Sequence, residues 1–294
     1  MIKKIIFDCD NTMGVKGCDV DDGLALIYLL GKENIDICGI TTTYGNSDID
    51  TVYNNTASML RELAREDISL LKGCANKEDL KSEAVDFILK MANLHKGSIS
   101  ILATGSLTNL YAAYLLDNSI FNKISEIVLM GGITKKLIIN GRNLNELNFS
   151  CDPVATKCVL NNGKNVTVIT GNNCLKASFC ELDFSERLLS MDNPISKYLS
   201  QKCTYWFKHM MSLFNINAFY NWDVVAAAFL ANPSMFENKL FNLTPNIKYL
   251  ERGFINKNIS TNEFSCRINL PVIQDVENFT DDIYKTWLTV KIPK

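Results

Sequence analysis

Five aspartates fall within fifteen residues near the start of the chain: Asp8, Asp10, Asp19, Asp21 and Asp22. Gathered without a counter-charge they repel one another, and a buried carboxylate that is neither paired nor coordinated is costly. A hard divalent cation resolves the conflict, since carboxylate and carbonyl oxygens suit Ca²⁺ or Mg²⁺. The plainer alternative is that Asp21 or Asp22 caps the helix that follows while the others stay in water. Two histidines, His95 and His209, are too few for a zinc site built at short fixed spacings. Ten cysteines run from Cys9 to Cys266 without a Cys-x-x-Cys pair. Reduced, mostly buried thiols in cytoplasm are therefore expected, because a chain this long needs no disulfide staples. No histidine stands near Cys9 or Cys18 to activate a thiol, so the chemistry is expected from the carboxylates.

Those carboxylates need a scaffold. Residues 5–7, 35–40, 98–103, 127–130 and 166–170 are short, β-branched apolar runs that read as buried strands. Between them, 23–31, 48–65, 77–92, 107–116 and 153–160 read as helices, the last opened by Asp152 as an N-cap and Pro153 at the first helical position. Strand then helix, repeated, predicts an α/β fold with a mostly parallel sheet covered on both faces. From about 184 to 232 the pattern turns helical; 247–252 and 265–272 read as the arms of a β-hairpin, and 281–290 as a last helix. No linker or repeat divides the chain, so one domain over 1–294 is expected. Ligands bind outside the carboxyl ends of such strands. The segments placed there are Asp8–Thr12 with Asp19–Asp22, then Thr41–Asn46, Thr104–Asn109 and Met130–Gly132.

Composition narrows the partners. Thirty Lys and Arg balance thirty-two Asp and Glu, for a net charge of −2, which provides no basic field for nucleic acid. No apolar run approaches the roughly 18–20 residues that span a bilayer. Carboxylates follow at once on the first apolar residues, which a secretory signal does not tolerate. A soluble protein without membrane or nucleic-acid partners is expected.

Two resemblances compete. Taken alone, Ile5-Ile-Phe-Asp8-Cys-Asp10-Asn-Thr12 resembles the first motif of the haloacid dehalogenase-like phosphatases. That implies a nucleophile at Asp8, an acid/base at Asp10, and Mg²⁺ beside them. It also requires a further carboxylate pair after a later strand, where Val168-Ile-Thr-Gly-Asn-Asn173 offers amides. The longer resemblance is to the inosine-uridine preferring nucleoside hydrolases. It rests on six segments in order over roughly 220 residues. They are Asp8-Cys-Asp10 with Asp21-Asp22-Gly-Leu-Ala-Leu26, Thr42–Asn46, Ala103–Asn109, Val128–Gly132, Glu146–Pro153 and Trp222-Asp223-Val-Val-Ala-Ala.

That resemblance implies a Rossmann-like hydrolase that cleaves ribonucleosides to free base and ribose with Ca²⁺, in nucleoside salvage, as a homodimer or homotetramer. It implies Asp10, Asp22, Asp223 and the backbone carbonyl of Thr104 as metal ligands, with Asp10 also the general base. Asp21, Asn46 and Asp223 would bind the 2′- and 3′-hydroxyls, Asn140, Glu146 and Asn148 would reach the 3′/5′ side, and Met130 would lie under the ribose. Blander roles compete residue by residue: Asn46 after Gly45 as a turn residue, Thr104 and Thr108 as local caps, Met130 as core filler.

Three departures matter. Ten residues, 11–20, separate Asp10 from Asp21 where the resembled motif has about three; they could bring Lys16 or Cys18 to the substrate, or form a lid. Trp222 stands where many members carry a histidine that protonates the leaving base. Its indole N–H cannot supply a catalytic proton, but the ring can stack on a purine, or simply pack in the core. Trp206 and His209 are further candidates for a base pocket. Finally, Gly171-Asn-Asn-Cys174 replaces an Asp-x-Thr pattern, leaving Asn172 or Asn173 as loose candidates for the sugar. A catalytically weak nucleoside- or ribose-binding protein is the non-enzymatic alternative.

Overall fold

The runs at 5–7, 35–40 and 127–130 become strands that extend past their β-branched centres, and those at 98–103 and 166–170 become strands one residue shorter, in a computed structural model that describes residues 2–255 and 266–292. In chain order these are β1 (Lys3–Cys9), β2 (Ile35–Thr42), β3 (Leu70–Leu71), β4 (Ile99–Ala103) and β5 (Ile124–Met130). Then come β6 (Leu137–Ile139), β7 (Arg142–Leu144), β8 (Val166–Ile169), β9 (Ser178–Cys180) and β10 (Ala218–Tyr220). The last are β11 (Phe236–Glu237), β12 (Leu240–Leu243), β13 (Cys266–Asn269) and β14 (Val272–Ile273). Eight of them form one sheet in the order β12-β13-β8-β5-β4-β1-β2-β3. Every neighbouring pair is parallel except β12–β13. Strands β1, β4 and β8 are buried on both faces at their centres, which is why their sequences are near-continuous apolar runs.

The helices are α1 (Asp21–Leu30), α2 (Ile49–Glu62), α3 (Glu83–Leu94), α4 (Thr108–Leu116), α5 (Asn148–Cys151) and α6 (Pro153–Asn162). They continue with α7 (Gly171–Cys174), α8 (Glu181–Leu189), α9 (Pro194–Phe214), α10 (Trp222–Ala231), α11 (Ile247–Leu250) and α12 (Val276–Thr289). Helices α3, α4 and α6 cover one face of the sheet, and α1 and α10 cover the other, with α8, α9 and α12 packed outside them. Asp152 caps α6 as its sequence implies, accepting from the Ala155 N–H at 2.9 Å, with Pro153 at the first position. Helix α3 begins six residues later than its periodicity indicates. Asn76 holds the N–H groups of Glu78 and Asp79 in a turn, and Ser82 then caps Val85.

The C-terminal part differs from its sequence reading. Residues 247–250 form a helical turn capped by Asn246, not a hairpin arm. The antiparallel partner of β13 is instead β12, four residues upstream of that turn; Ser265, assigned to the second arm, lies outside the described residues. The last helix starts at Val276 because Asp275 accepts from the N–H groups of Glu277 and Asn278. Among the described residues no helix is long and apolar enough to cross a membrane.

Candidate active site

Strand β1 ends in Asp8-Cys9 with Asp10 just beyond it, and β2 and β4 run beside it in register, Asp8 opposite Thr41 and Ala103. The chain leaving those strands then surrounds Asp10. The Asn46 N–H donates to Asp10 Oδ2 at 2.6 Å, and the Asn46 amide group lies 3.3 Å from Asp10 Oδ1 and 3.4 Å from Asp22 Oδ2. Glycine is required around this carboxylate. A Cβ on Gly45 would stand 2.0 Å from Asp10 Oδ2, and one on Gly105 would stand 3.1 Å from Asp10 Cγ.

Two helices aim their N-termini at the same place. Asp21 and Asp22 occupy the first turn of α1, and Asp223 the first turn of α10, where the helix dipole favours negative charge. Carboxylate oxygens of Asp21, Asp22 and Asp223 lie within 4.8 Å of one another, and all three residues are buried. Thr104 donates its hydroxyl to Asp22 Oδ1 at 2.7 Å, and the Asp223 N–H donates to Asp21 Oδ2 at 3.3 Å. Among the described residues no Lys, Arg or His forms an ion pair with Asp10, Asp21, Asp22 or Asp223.

Burial pushes all four carboxyls up: Asp10 and Asp21 to about 6, Asp22 and Asp223 well above the ordinary carboxylate value, with mutual repulsion adding to the last two. Asp10 with Asp22, and Asp21 with Asp223, are close enough to share a proton. Four buried carboxylates without a cationic neighbour fit a hard divalent cation, which supplies the missing positive charge. Above them opens a cavity of about 330 Å³. Its polar side is Asp19, Asp21, Asp223, Asn46 and Thr104; Trp222, Met130, Ile133, Leu137 and Leu144 form an apolar wall.

A family model described as inosine-uridine preferring nucleoside hydrolase matches residues 5–279. The chain belongs to this family. The enzymes of that family act on the N-glycosyl bonds of ribonucleosides. The inosine-uridine preferring nucleoside hydrolase of Crithidia fasciculata is 26% identical over 266 residues, 80% of this chain and 81% of the relative. A probable uridine nucleosidase 2 of Arabidopsis thaliana is 27% identical over 268 residues, 80% of this chain and 79% of the relative. The solved structure of a purine-preferring ribonucleoside hydrolase from Gardnerella vaginalis shares the fold at a TM-score of 0.82 and 22% identity, covering 98% of each chain.

Within this nucleoside hydrolase, the structure brings together Asp10, Asp21, Asp22, Asn46, Thr104, Met130, Glu146, Asn148, Trp222 and Asp223, and leaves Asn140 out. Asn148 donates its amide N–H to the Thr104 carbonyl at 2.7 Å and to the Met130 carbonyl at 3.1 Å, tying two strand ends together. Glu146 lines the cavity, but its carboxylate accepts from the N–H groups of Gly132, Phe149 and Ser150 at 2.8–3.0 Å, and burial raises it to about 7. Asn140 lies elsewhere. With Gly141 it forms the two-residue turn between β6 and β7, at φ +45° and +77°, and its amide donates to the Phe214 carbonyl at the end of α9. Asn-Gly is a strong hairpin signal, and here that geometry turns the side chain away from the cavity.

The other candidates also sort by position. Trp222 is half-buried on the cavity wall, 5.0 Å from the Tyr220 ring. Trp206 and His209 stack on each other at 4.8 Å along α9, and neither lines the cavity. Asn172 and Asn173 bind backbone, the first accepting from Thr134 and the second donating to Pro271. Asp8 lies fully buried, accepting from Thr41 and Asn109. Lys16 is exposed and outside the lining, and of residues 11–20 it is Asp19 that reaches the cavity. Sequence reasoning counted Asp19 in the cluster without a role; its alternation with Asp21 across Val20 was the available signal.

Proposed function

We propose that this hydrolase adds water across the C1′–N bond of ribonucleosides, releasing free base and ribose, with Ca²⁺ held by Asp10, Asp22, Asp223 and the Thr104 carbonyl. The observation that carries this reading is the buried group of Asp21, Asp22 and Asp223, with Asp10 joined to Asp22 through the Asn46 amide, beside a cavity sized for a small molecule. When bound, such an ion lowers the pKa of a water and neutralises the cluster. Asp10 accepts the proton of the attacking water, its carboxylate fixed by the Asn46 N–H and packed between Gly45 and Gly105. The sugar passes through an oxocarbenium-like state, as in glycoside hydrolysis generally. Asp21, Asn46 and Asp223 hold the 2′- and 3′-hydroxyls as positive charge grows at C1′. Met130 lies under the ribose, Asn148 orients the Thr104 carbonyl, and Glu146 holds the loop that closes the 5′ side.

Trp222 stacks on the departing base rather than protonating it, so a purine leaving group, more basic and with a larger π-face, is preferred. Solvent then supplies the proton. The relatives are named for uridine and for purine substrates, so the preference rests on Trp222 alone. In this reading residues 1–294 act as one catalytic domain, in the cytoplasm, as a homodimer or homotetramer serving nucleoside salvage.

The test is a reducing-sugar assay with Ca²⁺ on inosine, guanosine, adenosine, uridine and cytidine. Ribose release that disappears in Asp10→Asn supports the reading. Release from purines that drops in Trp222→Ala by about tenfold more than release from pyrimidines supports stacking, worth about 0.5–1.5 kcal/mol. No ribose from any of the five overturns it.

A further inference from the structure

The ten residues between Asp10 and Asp21 are not a loose loop. Two successive turns close them, Val15 N–H to the Thr12 carbonyl at 2.8 Å and Cys18 N–H to the Val15 carbonyl at 3.1 Å. Helix α9 grips them from outside. The Tyr205 hydroxyl accepts from the Gly14 N–H at 3.2 Å and donates to the Cys18 carbonyl at 2.9 Å. One turn earlier, the Lys202 stem lies against Gly14, and its ammonium pairs with Glu62 at 2.8 Å. From the inner side Asn55 donates to the carbonyls of Asn11 and Met13.

Asp19 is the residue this bracing serves. The peptide before it is held by Tyr205 through the Cys18 carbonyl, and the peptide after it by Thr12, whose hydroxyl donates to the Asp19 carbonyl at 3.2 Å. Its Oδ1 accepts from the Val20 N–H at 2.6 Å. So fixed, the side chain lines the cavity in company with Asp21, Trp222 and Asp223. No side chain packed there requires that placement for the core, since Asp19 is half-buried and open to the cavity.

We infer that Asp19 is a substrate-binding residue that accepts from the ribose 2′,3′-diol beside Asp21, and that Tyr205 is the positioning residue that sets it there. Asp19 and Asp21 line the cavity together, and the vicinal hydroxyls of a nucleoside are two adjacent donors that neighbouring acceptors can share. Donors on the base are separated from the sugar by the glycosidic bond and face the Trp222 side. The inference rests on the hydrolase reading above, and extends it to a residue of the lengthened 11–20 connection. A preformed acceptor holds the sugar equally before and during reaction, so it acts on KM more than on kcat.

Steady-state kinetics on Asp19→Ala, Asp19→Asn, Tyr205→Phe and the Ala/Phe double variant test it. Asp19→Ala is expected to raise KM for ribonucleosides about tenfold or more, the scale of a lost charge-assisted hydrogen bond, and to lower kcat far less. Asp19→Asn, which keeps an acceptor, recovers part of that. Against 2′-deoxy or 3′-deoxy substrates the Asp19→Ala penalty shrinks for whichever analogue lacks its partner hydroxyl. Tyr205→Phe raises KM while Asp19 is present and has no further effect in the Asp19→Ala background. An unchanged KM, equal penalties on both deoxy analogues, or additive effects of the two substitutions would each overturn the inference. If the wild-type chain cleaves no ribonucleoside, the hydrolase reading fails separately. Calorimetric titration with ribose then decides for Asp19: weaker binding to Asp19→Ala supports its role, and equal binding removes it.

Discussion

Two parts of this molecule are equally buried and opposite in chemistry. Outside α1, the rings of Phe179, Phe184, Phe207, Phe219, Tyr284 and Trp287 meet at centroid distances of 4.7–6.4 Å, several of them edge to face. At the carboxyl end of the sheet, Asp10, Asp21, Asp22 and Asp223 are packed just as tightly. The aromatic cluster is stabilised by what it is made of, through apolar burial and ring geometry. The carboxylate cluster is held together against its own repulsion by helix N-termini, the Asn46 N–H and glycines that let backbone come close. A buried arrangement that opposes folding, in a chain that folds around it, marks the part selected for chemistry. That contrast can be broken from either side.

The largest effect belongs to Asp10→Asn. The amide is nearly isosteric but cannot take a proton, so ribose release should fall about 10²–10⁴-fold, the range for a lost general base. In chelator the same variant should melt no lower than the parent, because it removes a repelling charge from the cluster. A fall in melting temperature comparable to a core deletion would mean that Asp10 is structural. On the aromatic side, Phe219→Ala should behave in the opposite way. It should cost about 3–5 kcal/mol of stability, read by denaturant unfolding, while kcat per folded molecule is retained.

Proton linkage gives the next contrast. Unfolded aspartates titrate near 3.8, and in the metal-free fold Asp10 and Asp21 titrate at about 6. Between those values the folded state holds more protons than the unfolded state. Their contribution to stability is therefore full below about pH 4 and is lost as pH rises through about 6. Chelator-treated protein should melt higher at pH 5 than at pH 7.5, by about 2–4 °C for each kcal/mol involved. Added Ca²⁺ should reverse the order, because an ion binds the deprotonated cluster. A chelator-treated melting temperature that rises from pH 5 to pH 7.5 would show that the cluster is already neutralised by another group.

The same contrast explains how much could be read before the structure. Strands β1, β4, β5 and β8 are legible because a parallel strand buried on both faces needs an unbroken β-branched run. Strand β12, Leu240-Phe-Asn-Leu243 at the sheet edge, carries no such run, and so the antiparallel pair was sought downstream. Asp10, Asp21 and Asp22 stand out because carboxylates after a strand have few structural reasons to cluster, whereas Asp223 enters through the resemblance alone. Glu146 is assigned to the sugar by the resemblance alone, and the three backbone N–H groups it also accepts from have no signature in side-chain sequence. Loop length announced an unusual connection after Asp10, yet which of its residues turns inward depends on Tyr205, 186 positions after Asp19.

The smallest effect tests the boundary of the site at Asn140. Its backbone is left-handed, at φ +45°, and its amide satisfies a carbonyl of the last turn of α9, where helix carbonyls lack intrahelical partners. Asn140→Gly keeps the turn and loses that hydrogen bond, so a loss of about 0.5–1.5 kcal/mol is expected. Asn140→Ala loses the bond and also places a Cβ in the left-handed region, adding roughly 1–2 kcal/mol. Neither should change KM for ribonucleosides, because the side chain points at α9 and not at the cavity. A rise in KM with Asn140→Gly, at unchanged stability, would return Asn140 to the sugar and would require the β6–β7 hairpin to swing over the cavity when substrate binds.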